Sequence, residues 1–82
     1  MKENPTEMRR ILSSNLKKHR KKLGFSQEKL AENAEISTMM VKDIEGCRTW
    51  VSDKTLESLA KTLKTDTYRL LMPDTVYEDE VH

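Results

Sequence analysis

The chain has 82 residues, a net charge of +1, one cysteine, two glycines and 5% aromatic residues. A chain of this length forms one domain without a separate catalytic lobe, and the scarcity of glycine and aromatic residues favours an all-α bundle over a β-rich fold. Because one cysteine cannot form an internal disulfide or a metal cluster, and because we find no long apolar run or apolar leader, we expect a cytoplasmic protein without a membrane span.

The small net charge hides an uneven distribution along the chain. The first 72 residues contain all 15 Lys and Arg residues but only 10 of the 14 acids, whereas residues 73–82 contain the other four acids. Terminal clusters of one charge sign are typical of tails. We therefore expect a folded domain over residues 1–72 and an acidic C-terminal tail over residues 73–82.

The first predicted helix covers about residues 5–23. Asn4 is suited to the N-cap and Pro5 to the first helical position. Gly24 supplies a left-handed residue that ends the helix. His19 lies on the apolar stripe and is interpreted as a hydrogen-bonded boundary residue. The apolar residues of that stripe are Met8, Ile11, Leu12, Leu16 and Leu23.

Two short helices follow, joined by a three-residue bend. Helix 2 is predicted over about residues 27–34 and helix 3 over about residues 38–45, with Ser26 and Ser37 as their N-caps. Gly46 is predicted to end helix 3 through a backbone conformation that glycine adopts at low cost. The residues that repeat at helical spacing and predict a shared core are Leu30, Ala31, Ala34, Val41 and Ile44.

The last part of the domain contains a loop and two further predicted helices. In the loop over residues 47–51, Trp50 is expected to bury its ring against the core. Ser52 is placed to cap helix 4, and Asp66 to cap a short helix 5. The apolar residues of these two helices are Leu56, Leu59, Ala60, Leu63, Leu70 and Leu71.

A combination of residues over about positions 12–71 is more specific than helical periodicity alone. It comprises Leu16, Arg20, Gly24-Phe25-Ser26-Gln27, Leu30-Ala31, Ile36-Ser37, Val41, Ile44-Glu45-Gly46, Trp50-Val51-Ser52, Thr55-Leu56, Leu59-Ala60 and Leu63. This combination resembles the phage-repressor and Cro-like (XRE-type) helix-turn-helix family. The resemblance implies an all-α, five-helix, lambda-repressor-like domain with its helix-turn-helix at helices 2 and 3.

The resemblance also implies a function, and the sequence departs from the family pattern at the bend. It implies a DNA-binding, commonly homodimeric transcriptional regulator whose recognition helix, about residues 38–45, enters the DNA major groove. The departure is Glu35, which stands in the bend where the family has a glycine. Glu35 must therefore adopt a left-handed conformation or let the turn relax.

Helical geometry predicts which side chains of helix 3 point away from the core. At about 100° per residue, the residues opposite the buried stripe are Met39, Lys42 and Asp43, and those at its boundary are Thr38 and Met40. Thr38 and Met39 can contact a thymine methyl group, and Lys42 can bind guanine or a phosphate. Asp43 can accept a hydrogen bond from cytosine N4 or is simply an exposed acid. Met39 and Met40 alternatively pack at a protein interface.

Further DNA contacts are implied by the family resemblance. Gln27, at the start of helix 2, corresponds to a phosphate-binding position, as do Arg48 and Thr49 in the loop after helix 3. Loop charges that are merely solvated are the alternative. Ser37, which precedes helix 3, completes the predicted DNA-binding set.

A structural role is implied for Arg20 and Glu45. Their family counterparts form a partly buried ion pair that links helix 1 to the end of the recognition helix. Loss of one partner would leave an uncompensated buried charge.

We find no signature of an enzyme in the sequence, neither a Gly-rich phosphate loop nor a nucleophile-base pair nor a metal-ligand cluster. We therefore expect no catalysis, cofactor or metal. The predicted function is sequence-specific binding of a double-stranded DNA operator by a homodimer, with helix 5 and the segment 70–72 as the dimer surface. The alternative is a protein-interaction module of the same fold, such as an antitoxin-like or non-DNA-binding regulator.

Overall fold

The first helix begins later than the sequence indicated. In the computed structural model, which describes residues 6–73, helix α1 spans Glu7–Lys22 and its N-cap is Thr6. The Thr6 hydroxyl accepts a hydrogen bond from the backbone N–H of Arg9 at 3.2 Å. The prediction of Asn4 as the N-cap is wrong because a threonine hydroxyl two residues further on serves the same purpose. Asn4 itself lies outside the described residues.

Four more helices follow α1 within the described part of the chain. They are α2 (Gln27–Ala34), α3 (Thr38–Glu45), α4 (Asp53–Thr62) and α5 (Thr67–Leu70). The predicted bounds of the second and third helices are confirmed, as is the all-α, five-helix architecture. Helix α2 packs against α3 and α4, while α1 packs against α3 and α5. This arrangement places α2 and α3 side by side.

One apolar core joins the five helices. Its buried members are Leu12, Leu16, Leu30, Ala31, Ala34, Val41, Ile44, Val51, Leu56, Leu59, Ala60, Leu63 and Leu70. The predicted stripe of α1 is wrong at its two ends, because Met8 is 45% and Leu23 38% exposed. A helix of 16 residues that packs on partners of eight and four residues leaves its terminal turns less covered.

Left-handed residues end four of the helices. Gly24 (φ 74°) has the conformation predicted for it, and Glu35 (φ 60°) adopts the left-handed conformation in the bend rather than relaxing the turn. The interpretation of Gly46 is wrong: its φ is −92°, and the left-handed residue is Cys47 (φ 63°). Lys64 (φ 59°) follows α4 in the same way. Non-glycine residues hold this conformation at a cost of about 1 kcal/mol each.

Two other predicted roles are wrong. Trp50 is 38% exposed, and the neighbouring Val51, only 7% exposed, enters the core instead. Asp66 occupies the N-cap position of α5, but its side chain makes no capping hydrogen bond. Helix α5 is held instead from α1, where the Asn15 side-chain amide donates to the backbone carbonyls of Leu70 (2.9 Å) and Met72 (2.7 Å).

Candidate nucleic-acid interface

The bend between α2 and α3 is fixed by backbone hydrogen bonds and by a small side chain. The N–H of Ile36 donates to the carbonyl of Ala31 at 3.0 Å, which closes the turn around Glu35. The hydroxyl of Ser37 accepts from the N–H of Met40 at 3.0 Å and caps α3. Ala31 is only 2% exposed, so the two helices meet where a longer side chain would separate them. The helix pair is therefore held in one orientation.

Helix α3 buries one face and exposes the other. Val41 and Ile44 are buried, whereas Met39 is 63% exposed and Lys42 is also exposed. Met40 is half-buried and packs against the core, in agreement with its predicted boundary position. The exposed face combines an apolar tip and a cation, which can contact a thymine methyl and a guanine or phosphate.

Asp43 is paired with Arg48 rather than simply exposed. Nε of Arg48 donates to Oδ1 of Asp43 at 3.0 Å, and Nη2 of Arg48 donates to the carbonyl of Lys42 at 3.1 Å. The guanidinium lies so close to Gly46 that a β-carbon there would collide with it. The small size of Gly46, and not a left-handed conformation, therefore lets Arg48 fold back onto the end of α3. The two predicted DNA contacts of opposite charge thus lie side by side.

The carboxylate of Glu45 is the centre of a second polar group beneath this face. It accepts hydrogen bonds from Nε (2.7 Å) and Nη2 (3.1 Å) of Arg20, and from the side-chain amide of Gln27 (3.0 Å). The side chains of Arg20 and Glu45 are only 11% and 5% exposed. Arg20 also donates to the carbonyl of Phe25 at 2.8 Å. The ion pair thereby ties α1 and the start of α2 to the end of α3.

The remaining predicted DNA-binding residues lie at the start of α3, in the loop after it and at the start of α2. Thr38 begins α3 and is half-buried, while Ser37 beside it is exposed. Thr49 is half-buried in the loop after α3 and its hydroxyl donates to the carbonyl of Trp50 at 2.9 Å. Gln27 is half-buried at the first turn of α2, where one amide N–H is held by Glu45.

Sequence comparison gives the family of this chain. The profile of the helix-turn-helix family HTH_3 matches residues 16–70, which is more than half of the 82 residues. The chain belongs to this helix-turn-helix family. No curated protein sequence matches the chain at a significant level.

Solved structures similar to this helix-turn-helix protein are transcription regulators. A hypothetical transcription factor NHTF from Neisseria superposes with a TM-score of 0.82 at 27% identity, over 89% of this chain and 84% of that one. The clp gene regulator ClgR from Corynebacterium glutamicum gives 0.76 at 25% identity, over 83% and 72% of the two chains. The restriction-modification controller protein C.AhdI from Aeromonas hydrophila gives 0.73 at 26% identity, over 76% and 94%. Family and neighbours make this helix-turn-helix protein a DNA-binding transcription regulator rather than an enzyme.

Sequence reasoning missed a buried hydroxyl that supports the interface. Ser13 of α1 is 3% exposed, and its Oγ donates to the backbone carbonyl of Glu45 at 2.6 Å. This bond holds the last turn of α3 of the helix-turn-helix protein against α1. Ser13 is adjacent to the buried Leu12, and a hydroxyl at the border of an apolar stripe is the signal that would have marked it.

Among residues 6–73, no three His, Cys, Asp or Glu side chains are grouped so that they could hold a metal ion. In the same part of the chain, no helix has the length and apolar character needed to cross a bilayer.

Proposed function

We propose that this protein regulates transcription in the cytoplasm by binding a specific double-stranded DNA operator as a homodimer, with α3 in the major groove. The observation that carries this proposal is the exposed face of α3, where Met39 is 63% exposed on a helix whose opposite side is anchored in the core. A rigid helix with one free face is the geometry that fits a major groove about 12 Å wide. Occupancy of the operator then blocks or recruits polymerase.

Four side chains are proposed to read bases. Thr38 and Met39 contact thymine methyl groups, because both present apolar atoms near the start of α3. Lys42 binds guanine O6 and N7 or an adjacent phosphate. Asp43 accepts from cytosine N4 when its bond to Arg48 opens or is shared. Because both apolar and charged side chains of α3 would contact bases, the helix would prefer an operator that contains both A·T and G·C pairs to a tract of one kind of pair.

Four other residues are proposed to position the helix on the backbone of the DNA. Ser37 presents its hydroxyl, Thr49 donates its hydroxyl to a phosphate in place of the Trp50 carbonyl, Gln27 presents its side-chain amide and backbone N–H, and Arg48 supplies a charge that is 61% exposed at the side chain. Such contacts add affinity without sequence preference. The Arg48 charge is partly neutralised by Asp43, so we expect modest affinity from one protomer and a requirement for two.

The proposed dimer surface is α5 and the segment that follows it. Tyr68 is 58% exposed on this short helix, and Leu71 and Met72 are half-buried. Leu70 was predicted to belong to the dimer surface, but it is fully buried within the protomer and is therefore not part of that surface. An aromatic residue with an exposed ring is a common anchor of such interfaces.

The test is selection of bound duplexes from a random library, followed by titrations of the selected site. Met39→Ala is expected to relax the preference at one base step and leave the other positions unchanged. Arg48→Gln is expected to weaken all sequences alike and to lower the slope of log affinity against log salt by about one. Lys61→Gln removes an exposed lysine from α4 and serves as the charge-matched control.

The opposite outcome would favour the protein-interaction alternative. A library that yields no enriched sequence would contradict operator recognition. An unchanged base preference after joint replacement of Thr38, Met39, Lys42 and Asp43 by alanine would contradict the assignment of α3 as the reader. A wild-type salt slope in Arg48→Gln would remove Arg48 from the phosphate contacts.

A further inference from the structure

A cationic pocket lies between the end of α1 and the turn that joins α4 to α5, and none of the residues that line it belongs to α3. Its volume is about 320 Å³. Three basic side chains line it, namely Lys22 from α1, Lys64 from the turn and Arg69 from α5. These residues come from three separate segments of the chain, so the fold itself creates the concentration of positive charge.

The other lining residues give the pocket an apolar part and two hydrogen-bonding groups. Leu23 and Leu63 contribute aliphatic surface, and His19 and Thr65 contribute an imidazole and a hydroxyl. Among residues 6–73, no Asp or Glu lines the pocket. Donors and cations grouped around aliphatic surface match an organic molecule with a negatively charged group.

Burial and nearby positive charge both disfavour protonation of His19. Partial burial lowers the pKa of His19 below its usual value of 6.5, and the positive charges of Lys22, Lys18 and Arg69 lower it further. Two of these three cations line the pocket, and Lys64 lines it from the turn. A bound anion would offset the repulsion among these groups.

The backbone conformation of Lys64 is one that residues with a side chain rarely adopt. Its φ of 59° is the left-handed conformation that follows a helix end, where glycine is the usual residue. Glycine at this position would relieve the backbone and remove the charge. The position therefore allows an experiment that separates ligand binding from stability.

We propose that this pocket binds a small organic anion composed of an apolar body and a doubly charged phosphate or a pair of carboxylates. The charged group contacts Lys22, Lys64 and Arg69, the His19 imidazole and the Thr65 hydroxyl donate to its oxygens, and the apolar body rests on Leu23 and Leu63. A volume of 320 Å³ is at the lower end of the range for ligand pockets and suits a ligand of one ring or a short chain. The proposal is independent of the DNA-binding role proposed above.

The first test measures binding of three probes to the full chain by NMR at fixed ionic strength. The probes are phenyl phosphate, inorganic phosphate and benzyl alcohol, which carry the ring and the charge, the charge alone and the ring alone. Phenyl phosphate is expected to bind tightest, to shift the His19 imidazole signals and to raise the pKa of His19. Benzyl alcohol is expected to leave these signals unchanged. Equal shifts from phosphate and phenyl phosphate would contradict the apolar part of the site.

The second test uses Lys64→Gly with two matched controls. This variant is expected to weaken phenyl phosphate binding about three- to fivefold, the effect of one partly exposed charge contact, while its thermal unfolding temperature does not fall. Glu35→Gly makes the same backbone change at the end of α2, and Lys61→Gln removes an exposed lysine of α4 that does not line the pocket. Both controls are expected to bind as wild type does.

The third test distinguishes a free ligand from the acidic C-terminal segment, whose carboxylates have the same chemistry. In the full chain, Asp74, Glu78, Asp79 and Glu80 are replaced together by their amides. Equal affinity for phenyl phosphate in this variant and in wild type supports a free ligand. Tighter binding that Lys64→Gly abolishes supports the same site with the chain's own carboxylates as its anion. Absence of His19 shifts in both backgrounds, or a wild-type affinity in Lys64→Gly, would overturn the proposal.

Discussion

At the scale of single residues, α3 carries two ion pairs with very different surroundings. The Glu45 carboxylate is 5% exposed and accepts three hydrogen bonds, two of them from Arg20. The Asp43 carboxylate is 35% exposed and pairs with an Arg48 side chain that is 61% exposed. Solvent screens the second pair but not the first. The first pair is therefore structural, and the second is open to exchange with a ligand.

This difference predicts unequal effects of alanine substitution on stability. Glu45→Ala is expected to lower the free energy of unfolding by about 3–5 kcal/mol, because it leaves the Arg20 charge buried without its partner. Asp43→Ala is expected to lower it by less than about 1 kcal/mol. Urea denaturation followed by circular dichroism measures both. Small and equal losses in the two variants would mean that the buried pair does not anchor α3.

His19 predicts how stability responds to pH. Because burial and the nearby Lys22, Lys18 and Arg69 lower its pKa in the folded state, the unfolded chain binds the His19 proton more readily. Stability from this group is fully present above the unfolded value of 6.5 and is lost as pH falls below it towards the lower folded pKa. We therefore expect His19→Gln to lose less unfolding free energy than wild type between pH 7.5 and pH 5.5. Parallel losses would exclude a contribution from His19.

The sequence predicts the direction of a side chain better than its partner. The helical wheel places Met39 and Lys42 outward because the direction of each Cβ follows from helical spacing alone. It does not show that Arg48 folds back onto Asp43, because that contact depends on the conformation of the loop and on the space left by Gly46. The family pattern indicated the ion pair of Arg20 and Glu45, but it did not indicate that the Gln27 amide also donates to the Glu45 carboxylate.

At the scale of elements, local signals account for most of the helix bounds. Serine caps before α2, α3 and α4 are observed in the structure, each accepting from the N–H three residues on. These bounds were predictable because a cap depends on residues within one turn. The end of α3 was harder to predict, because the left-handed residue is Cys47 rather than the glycine before it. A left-handed helix end favours glycine, but Gly46 instead leaves room for the guanidinium of Arg48.

Helix α5 has four residues and depends on Asn15 rather than on its own cap. Asn15→Ala is expected to lower the free energy of unfolding by about 2 kcal/mol, because the buried Leu70 carbonyl loses its donor. It is also expected to speed amide exchange at residues 69–72 more than elsewhere. Hydrogen exchange followed by NMR measures this local effect.

Ser58→Ala provides the comparison for Asn15→Ala. Ser58 donates from α4 to the carbonyl of Ala34 at 2.8 Å, so its loss removes a hydrogen bond between two other helices. This variant is expected to destabilise the protein while exchange at residues 69–72 follows the global change. If both variants raise exchange in α5 to the same degree, Asn15 has no specific role in holding that helix.

At the scale of the whole molecule, long-range packing creates features that no local pattern contains. The fold and the exposed face of α3 follow from helical periodicity and family resemblance. Short helices with one apolar face each have few ways to share a single core. The cationic pocket brings together Lys22, Lys64 and Arg69. Lys22 and Lys64 are more than 40 residues apart in the sequence. Their proximity depends on the packing of α1 against α5 and of α4 against α5.

The proposed homodimer predicts a strict spacing between the two half-sites of its operator. Two copies of α3 related by two-fold symmetry would enter successive major grooves on one side of the duplex, with centres about 34 Å apart. Insertion of five base pairs between the half-sites rotates them to opposite sides. We therefore expect this insertion to lower affinity about 100-fold, to the level of a duplex with one half-site, because the second contact is no longer intramolecular.

Dimerisation and spacing are tested together with a variant of the exposed aromatic residue. Tyr68→Glu places a charge on the proposed dimer surface. Because Tyr68 is 58% exposed in the protomer, a monomer would tolerate this charge. We expect Tyr68→Glu to sediment as a monomer, to keep the wild-type unfolding temperature when both are measured as monomers, and to bind native and expanded operators equally. A wild-type protein that already treats the two operators alike would mean that each protomer binds DNA alone. The surface of α5 would then have another use.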